Sequence, residues 1–296
     1  MHMLLPVLFA LCAALSNALA TVLQRKAALV VPSSQGFRPG LMLDLVRQPV
    51  WLAGILAVVV AGLCQAVALG TGPLTIVQPL FVLELPFALV LATFLLHGSL
   101  PRAGWAAVAA VVVGLGVALA AAAPSGNRTD VPADRWVVAL TVCGVVVLAL
   151  AAAALRRPEG RTRAAFLGSA TAISYAVTAA LMKEAVHILD DHGPGAFLTA
   201  WQTYAFAAAG VAALLLLVHA MQAGPLVASQ PALTLGDAAV SLALGILLFE
   251  EHVRTGWWLL PEAAGVALVV AGVVALATMP LARSLTTSGG TGAAAP

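Results

Sequence analysis

Two carboxylic acids lie in the middle of apolar segments. Glu84 lies about eleven residues into the apolar run 73–97, and Asp237 lies about as deep in the run 225–249. A carboxylate at the centre of a bilayer costs roughly 2.5 to 3.5 kcal/mol on insertion scales, so it needs a partner or a wet cavity. Such an acid can exchange a proton for a cationic or polar solute. The alternative is that each acid is hydrogen-bonded to a neighbouring helix and only holds the helices together.

Asp237 belongs to a polar stripe. Gln230, Thr234, Asp237 and Ser241 follow one another at helical spacing in an otherwise apolar run, which predicts one polar helix face that lines a cavity. The run around Glu84 instead contains two prolines that each remove a helical hydrogen bond, so we expect a kink near Glu84. The two acids are therefore the centre of the predicted site.

Further polar side chains inside apolar runs could together orient a small solute, although the alternative for each of them is a helix-packing contact. Gln78 and Gln230 are each followed by a proline, where a broken helix would expose backbone carbonyls. The predicted substrate-binding or coupling set is Glu84, Asp237, Gln78, Gln230, Asn17, Gln65, Tyr175, Thr234 and Gln202.

An internal repeat relates the two acids. A shift of 152 residues aligns the stretch 72–105 with 224–257 without a gap, and eleven of the 34 aligned pairs are identical. Chance identity in a chain this rich in Ala, Leu and Val is about one pair in ten, so the stretch indicates a repeated unit. Asp237 aligns with Leu85, which places the two acids at the same depth within one residue.

Composition places the repeated unit in a membrane. Apolar residues make up 62% of the 296 positions, charged residues 9%, and the mean hydropathy is +1.04, which excludes a soluble globule. A net charge of +2 without a basic tract argues against nucleic-acid binding. Apolar runs of roughly 20 residues predict nine membrane-spanning helices, near 4–24, 50–70, 73–97, 104–123, 135–155, 164–185, 196–218, 225–249 and 257–278.

Charge on alternate sides of the nine spans predicts their orientation. Ten Lys and Arg residues fall on one face and four on the other. The basic face is expected to be cytoplasmic, which puts the amino terminus outside and the carboxyl terminus in the cytoplasm. Matching helices of the two copies are five spans apart, so the second copy runs through the membrane in the opposite direction.

The predicted fold is an all-α polytopic membrane protein with two inverted four-helix repeats joined by a linking helix. The first repeat covers residues 1–123, the linking helix 135–155 lies within 124–163, and the second repeat covers 164–278. A disordered tail is expected over 279–296, and a short interfacial helix over 41–47. Inverted repeats are a common architecture of secondary transporters, which bind substrate near the bilayer midplane.

Charged residues near the span ends are interpreted as boundary groups. We expect Arg25 and Lys183 to extend to the membrane surface. The acids Glu250 and Glu251 follow the eighth span and are expected at the interface. We expect a solvated external loop for a short cluster of ionisable residues, His187, Asp190, Asp191 and His192.

The sequence resembles the EamA-like proteins of the drug/metabolite transporter superfamily. The resemblance lies in ILLFEEHVRTGWW followed by GVALVVAGVVALA, a short acidic and basic turn before a Gly-rich final helix; the first copy lacks the acidic residue in its turn. The nine-span arrangement is most similar to the NIPA-type magnesium transporters. This chain departs from the NIPA pattern at Ala61-Gly62, Gln65 and Val218-His219, and matches it at Arg25, Lys26 and Lys183.

The expected function is proton- or ion-coupled transport of a small organic solute across a bacterial cytoplasmic membrane. The alternative is a Mg²⁺ or other divalent-cation transporter in which Glu84 and Asp237 bind a partly hydrated ion. We expect no enzymatic activity, no cofactor and no nucleic-acid partner. The partners are a small-molecule or cation substrate and the lipid bilayer, and the oligomeric state stays open, a homodimer included.

Overall fold

The computed structural model describes residues 3–30, 48–96, 99–126, 128–224 and 226–281. The predicted interfacial helix 41–47 and the predicted tail beyond residue 281 lie outside these ranges. Within them the chain is almost entirely helical. The α-helices are α1 Leu4–Val30, α2 Pro49–Thr71, α3 Leu74–Leu80, α4 Glu84–Leu95, α5 Arg102–Ala122, α6 Ala133–Leu155, α7 Arg161–Thr199, α8 Trp201–Ala223, α9 Leu226–Phe249 and α10 Leu259–Ala277.

Nine helical segments of the described residues are long and apolar enough to cross a membrane. Seven of them contain one uninterrupted α-helix, and an eighth, Arg161–Thr199, is interrupted at Gly193. The remaining one, Leu74–Leu95, is assembled from α3, a 3₁₀ turn over Phe81–Leu83, and α4. This arrangement confirms the all-α polytopic membrane class and the nine predicted spans.

Helix α7 is longer than the sequence predicted. The expected span ended at residue 185 and was followed by a loop, whereas the helix continues to Thr199 with one interruption at Gly193 (φ 79°, ψ 178°). The interruption falls there because Gly193 adopts a left-handed φ and Pro194 disfavours helical geometry in the residue before it. The predicted loop cluster is therefore helical, which corrects the sequence interpretation, and its member His187 is buried.

The helices pack in three groups. Helix α1 packs against α2 and α4, α7 packs against α6, α8 and α9, and α5 packs against α10. The buried core is rich in alanine, and small residues of this kind let helix backbones approach closely in membranes. Large apolar side chains such as Leu56 and Leu148 are exposed on the outer faces, as contact with lipid requires.

Glycine permits a close contact between α5 and α10. A Cβ atom on Gly114 would lie 2.7 Å from Gly265 O, and one on Gly265 would lie 2.6 Å from Gly114 O. Near the start of α5, a Cβ atom on Gly104 would lie 3.1 Å from Met279 Sδ, just beyond the end of α10. The beginning of α5 therefore lies beside the end of α10, and the two helices are antiparallel.

Candidate functional site

The third span is broken next to its acid. Pro79 lies inside α3, the chain passes through the 3₁₀ turn Phe81–Leu83, and Glu84 is the first residue of α4. Proline has no amide hydrogen and its ring clashes with the carbonyl four residues earlier, so Pro86 prevents a regular helix through Val82. The break places the Glu84 carboxyl at the amino end of α4, where the helix dipole favours negative charge.

Four helices bring polar side chains to this point. The Asn17 side chain of α1 hydrogen-bonds the Glu84 carboxyl. On α9, Ser241 Oγ donates to Asp237 Oδ1 at 3.3 Å. The carboxyls of Glu84 and Asp237 interact electrostatically with each other, and both interact with the Tyr175 hydroxyl of α7. The structure therefore brings together Glu84, Asp237, Asn17 and Tyr175; we call the two acids the carboxyl pair.

A close approach between α7 and α9 positions Asp237. A Cβ atom on Gly236 would lie 2.9 Å from the Ala172 side chain. Ala172 precedes Tyr175 by three residues, which is less than one helical turn, so the contact holds the Tyr175 and Asp237 backbones at one level. On the other side of the site, α1 packs along α4, which brings Asn17 to Glu84.

The carboxyl pair lies deep in the protein and still retains accessible surface. Many protein atoms lie around the carboxyls of Glu84 and Asp237. Each residue nevertheless keeps part of its accessible surface. Neither acid is completely sealed by its neighbours. The pair can therefore meet water or a small solute.

No basic side chain of the described residues interacts with the carboxyl pair. Its partners are the Asn17 amide, the Ser241 hydroxyl and the Tyr175 hydroxyl, all of them uncharged. Two carboxylates at close range repel each other, and a low-dielectric interior strengthens that repulsion. A proton or a bound cation relieves it, which gives the site a preference for positively charged occupants.

The remaining predicted residues have different settings. Gln230 and Thr234 lie on the same continuous helix as Asp237 and are half-buried. Gln78 is buried in α3 and its Nε2 has no hydrogen-bond partner among the described residues. Gln65 is half-buried near the end of α2, and the structure gives it no contact with the pair.

Gln202 lies far from the carboxyl pair. It is the second residue of α8, directly after Trp201. The Trp136 ring contacts both Trp201 and Phe249, with ring centroids 5.9 and 6.4 Å apart, so the start of α8 is level with the end of α9. Phe249 follows Asp237 by twelve residues, which is about 18 Å along a helix. The structure does not bring Gln202 into the site.

A buried ion pair went unrecognised in the sequence. Lys183 Nζ lies 2.7 Å from Glu251 Oε1, and both side chains are 0% exposed. The Nζ atom also donates to Gly72 O at 3.2 Å. The two oxygens of Glu251 accept from the backbone amides of Leu74 and Thr75 at 2.7 and 2.8 Å. The prediction that Lys183 extends to the membrane surface and that Glu251 is an interfacial charge is wrong.

The reason for the error is a contact over long sequence separation. Glu251 follows Glu250 and resembles part of a solvated turn. Its carboxylate instead binds the amino end of α3, and Leu74 there is 177 residues earlier in the sequence. The available signal was Lys183 itself, because a lysine inside an apolar run requires an acid as its partner. Which acid it pairs with depends on the path of the chain.

Metal-binding clusters and surface clefts give no second candidate site. In the described ranges, no group of three His, Cys, Asp or Glu side chains could hold a metal ion. A cleft of about 300 Å³ between α2 and α7 is lined in part by His187 and Asp190. Another, of about 200 Å³, is bordered by α6, α7 and α8. Neither cleft is lined by Glu84 or Asp237.

A comparison with known proteins gives one full-length relative. The chain is 32% identical over 295 residues to an uncharacterized protein of Corynebacterium glutamicum, and the match covers 97% of this chain and 98% of the relative. The chain belongs to the same family as this protein. No protein-family model matches it, and no solved structure matches it. Because the relative is uncharacterized, a function has to be argued from the geometry of the carboxyl pair.

Proposed function

We propose that the protein is a secondary transporter of a small organic solute, coupled to protons or another cation through Glu84 and Asp237. The observation that carries the proposal is a pair of intramembrane carboxyls without a basic partner, where α1, α4, α7 and α9 meet. Acids inside membranes are normally paired, as Glu251 is with Lys183. The unpaired charge of the carboxyl pair favours a function in binding.

The two halves of the proposed site come from different copies of the repeat. Asn17 and Glu84 belong to the first predicted repeat, and Tyr175 and Asp237 belong to the second. A site at the junction of two inverted repeats is the arrangement found in many secondary transporters, where one repeat rocks against the other. The antiparallel packing of α5 against α10 supports an inverted repeat, because these helices are equivalent members of the two copies.

Membership of the EamA-like drug/metabolite transporters and a cytoplasmic-membrane location belong to the same proposal. The turn and the Gly-rich helix after residue 246 support the family. The asymmetry of positive charge supports the location. Lys183 is buried, so it leaves the count of loop charges, and ten basic residues then oppose three. This stronger asymmetry supports an external amino terminus and a cytoplasmic carboxyl terminus.

A binding screen followed by uptake tests the proposal. The purified protein is heated with amino acids, polyamines, tetraphenylphosphonium and MgCl₂, since a bound solute raises the melting temperature by mass action. The solute with the largest shift is then offered to proteoliposomes. We expect uptake above that of protein-free liposomes. Binding without any uptake would overturn the transport proposal.

Magnesium transport is the second candidate. It is favoured by the convergence of the Glu84 and Asp237 carboxylates with the Asn17 amide, since carboxylate and amide oxygens are hard ligands that suit Mg²⁺. Only two carboxyls meet there, so the ion would keep several waters. This candidate predicts that the protein rescues growth of a magnesium-starved host and that Glu84→Gln does not. Absence of rescue by the unmutated chain rejects it.

A further inference from the structure

The buried ion pair of Lys183 and Glu251 connects the two predicted repeats at one end of the helix bundle. Lys183 belongs to α7 and Glu251 follows α9, whereas their backbone partners, Gly72 O and the amides of Leu74 and Thr75, belong to the turn from α2 to α3. We call this set of contacts the clamp. In the clamp, the side chains of Lys183 and Glu251 from the second predicted repeat hydrogen-bond backbone groups of the first.

The clamp is closed tightly in this structure. The Glu251 carboxylate accepts three hydrogen bonds, and the Lys183 ammonium lies 4.5 Å from the centre of the Phe249 ring. A Cβ atom on Gly245 would lie 2.6 Å from Glu251 Oε2, so only glycine leaves room for the carboxylate there. Since removal of one partner leaves a buried charge uncompensated, the two residues depend strongly on each other.

Neighbouring contacts close the same end. A Cβ atom on Gly70 of α2 would lie 3.8 Å from Val186 Cβ of α7. Beyond the clamp, Ser125 and His252 exchange two backbone hydrogen bonds of 2.9 and 2.7 Å. The turn after α9 is thereby also held to the segment after α5. Polar groups buried in the clamp can separate only if water enters to hydrate them, so separation opens this end to solvent.

The acid of the clamp is not repeated in the first copy. The repeat aligns Glu251 with Ser99, and serine carries no charge. The alignment therefore gives Glu251 no acidic equivalent in the first copy.

We propose that Lys183 and Glu251 are the closing contact of the transport pathway at this end, and that their separation opens it. The proposal rests on the transport function proposed above. In the closed state the pair holds the amino end of α3 against α7 and α9. In the open state both ions are hydrated, and the path from this end to the carboxyl pair is continuous.

Hydrogen exchange of residues 74–80 tests the proposal without any solute. All variants carry Cys12, Cys64 and Cys143 replaced by alanine and are measured in lipid nanodiscs. The Leu74 and Thr75 amides exchange only when they leave Glu251, so their exchange rate reports opening. We expect Glu251→Gln to raise that rate at least about tenfold, because a buried Lys183 then lacks its counter-ion. The control, Glu159→Gln, removes an exposed acid just before the start of α7 and should leave the rate unchanged.

A disulfide tests opening with the clamp intact. The pair Gly70→Cys and Val186→Cys joins α2 to α7, and the 3.8 Å between the Cβ positions suits a disulfide. Oxidation should slow exchange of residues 74–80 at least about tenfold, and reduction should restore it. Equal exchange in the oxidised and reduced forms would show that the clamp never opens and would overturn the proposal, even if Glu251→Gln fails to fold. A failure of solute uptake, by contrast, would reject transport and leave these rates unaffected.

Discussion

The two members of the carboxyl pair have different hydrogen-bond donors, and this difference decides how each acid can be probed. Glu84 is bound by the Asn17 side chain, while Asp237 is bound by Ser241 of its own helix. The donor to Glu84 therefore comes from another helix and the donor to Asp237 does not. Substitution of Asn17 removes a contact between α1 and α4 at the site.

Asn17→Ala should weaken solute binding while the protein stays folded. Asn17 no longer orients the Glu84 carboxyl in this variant, so we expect a loss of affinity of up to about tenfold, which is about 1.4 kcal/mol. The thermal shift caused by the best solute of the screen measures the effect. Ser16→Ala, which changes the neighbouring residue on another face of α1, is the control and should keep the full shift. An Asn17→Ala protein with unchanged affinity would exclude this amide from the site.

The ion pairs of Glu250, which lies outside the membrane spans, predict that the stability of the protein depends on pH. Hydrogen bonds and charge from Arg135 and Arg128 lower the pKa of its carboxyl below the ordinary value of 4.5. Because the pKa is lower in the folded protein, the stabilisation is fully present above pH 4.5 and is lost as the pH falls through the lowered pKa. Glu250→Gln should therefore lower the melting temperature at pH 7 and have no effect in strong acid. An equal effect at both pH values would contradict this ion pair.

Glu250 and Glu251 also show where sequence reasoning fails at the scale of residues. They are adjacent and chemically alike, but Glu250 is solvent-accessible with two arginine partners, whereas Glu251 is fully buried against Lys183. No local pattern separates them. Their difference arises because the left-handed backbone of Glu250 (φ 50°) turns the chain so that Glu251 points beneath α3.

The close packing of α5 and α10 makes a prediction at the scale of elements. Gly114→Ala places a methyl group 2.7 Å from Gly265 O, and overpacking of this kind costs about 1 to 3 kcal/mol. Gly116 is on the same helix and has nothing within 4 Å of its Cβ position, so Gly116→Ala should leave stability unchanged or raise it by up to about 1 kcal/mol. The melting temperatures of the Gly114→Ala and Gly116→Ala variants, measured in the same detergent, test this prediction. Equal melting temperatures would reject the close contact.

Element positions followed from the sequence because span length and apolarity are local properties. The runs 50–70 and 135–155 agree closely with α2 and α6. The prolines around Glu84 likewise indicated the break in the third span, since a missing amide hydrogen acts within one helical turn. The sequence does not predict the end of α7, because the charged residues after position 185 resemble a loop. The physical breaker is Gly193-Pro194, which lies eight residues further on.

The repeat explains the site at the scale of the whole molecule. The predicted repeat relates Glu84 to Asp237, and in the structure the two carboxyls interact electrostatically. What the repeat did not predict is the clamp, because Ser99 and Glu251 break the symmetry between the copies. The acids of the site thus follow the predicted repeat, whereas the clamp does not.

The central claim is that the carboxyl pair couples solute movement to protons or another cation, and proton flux in proteoliposomes tests it most directly. A pH-sensitive dye follows proton movement after addition of the solute found in the screen. We predict solute-driven proton flux with the unmutated chain and with Glu262→Gln, which removes an acid near the start of α10. Asp237→Asn should abolish the flux while its melting temperature stays near that of the unmutated protein. Undiminished proton flux with Asp237→Asn would contradict the account.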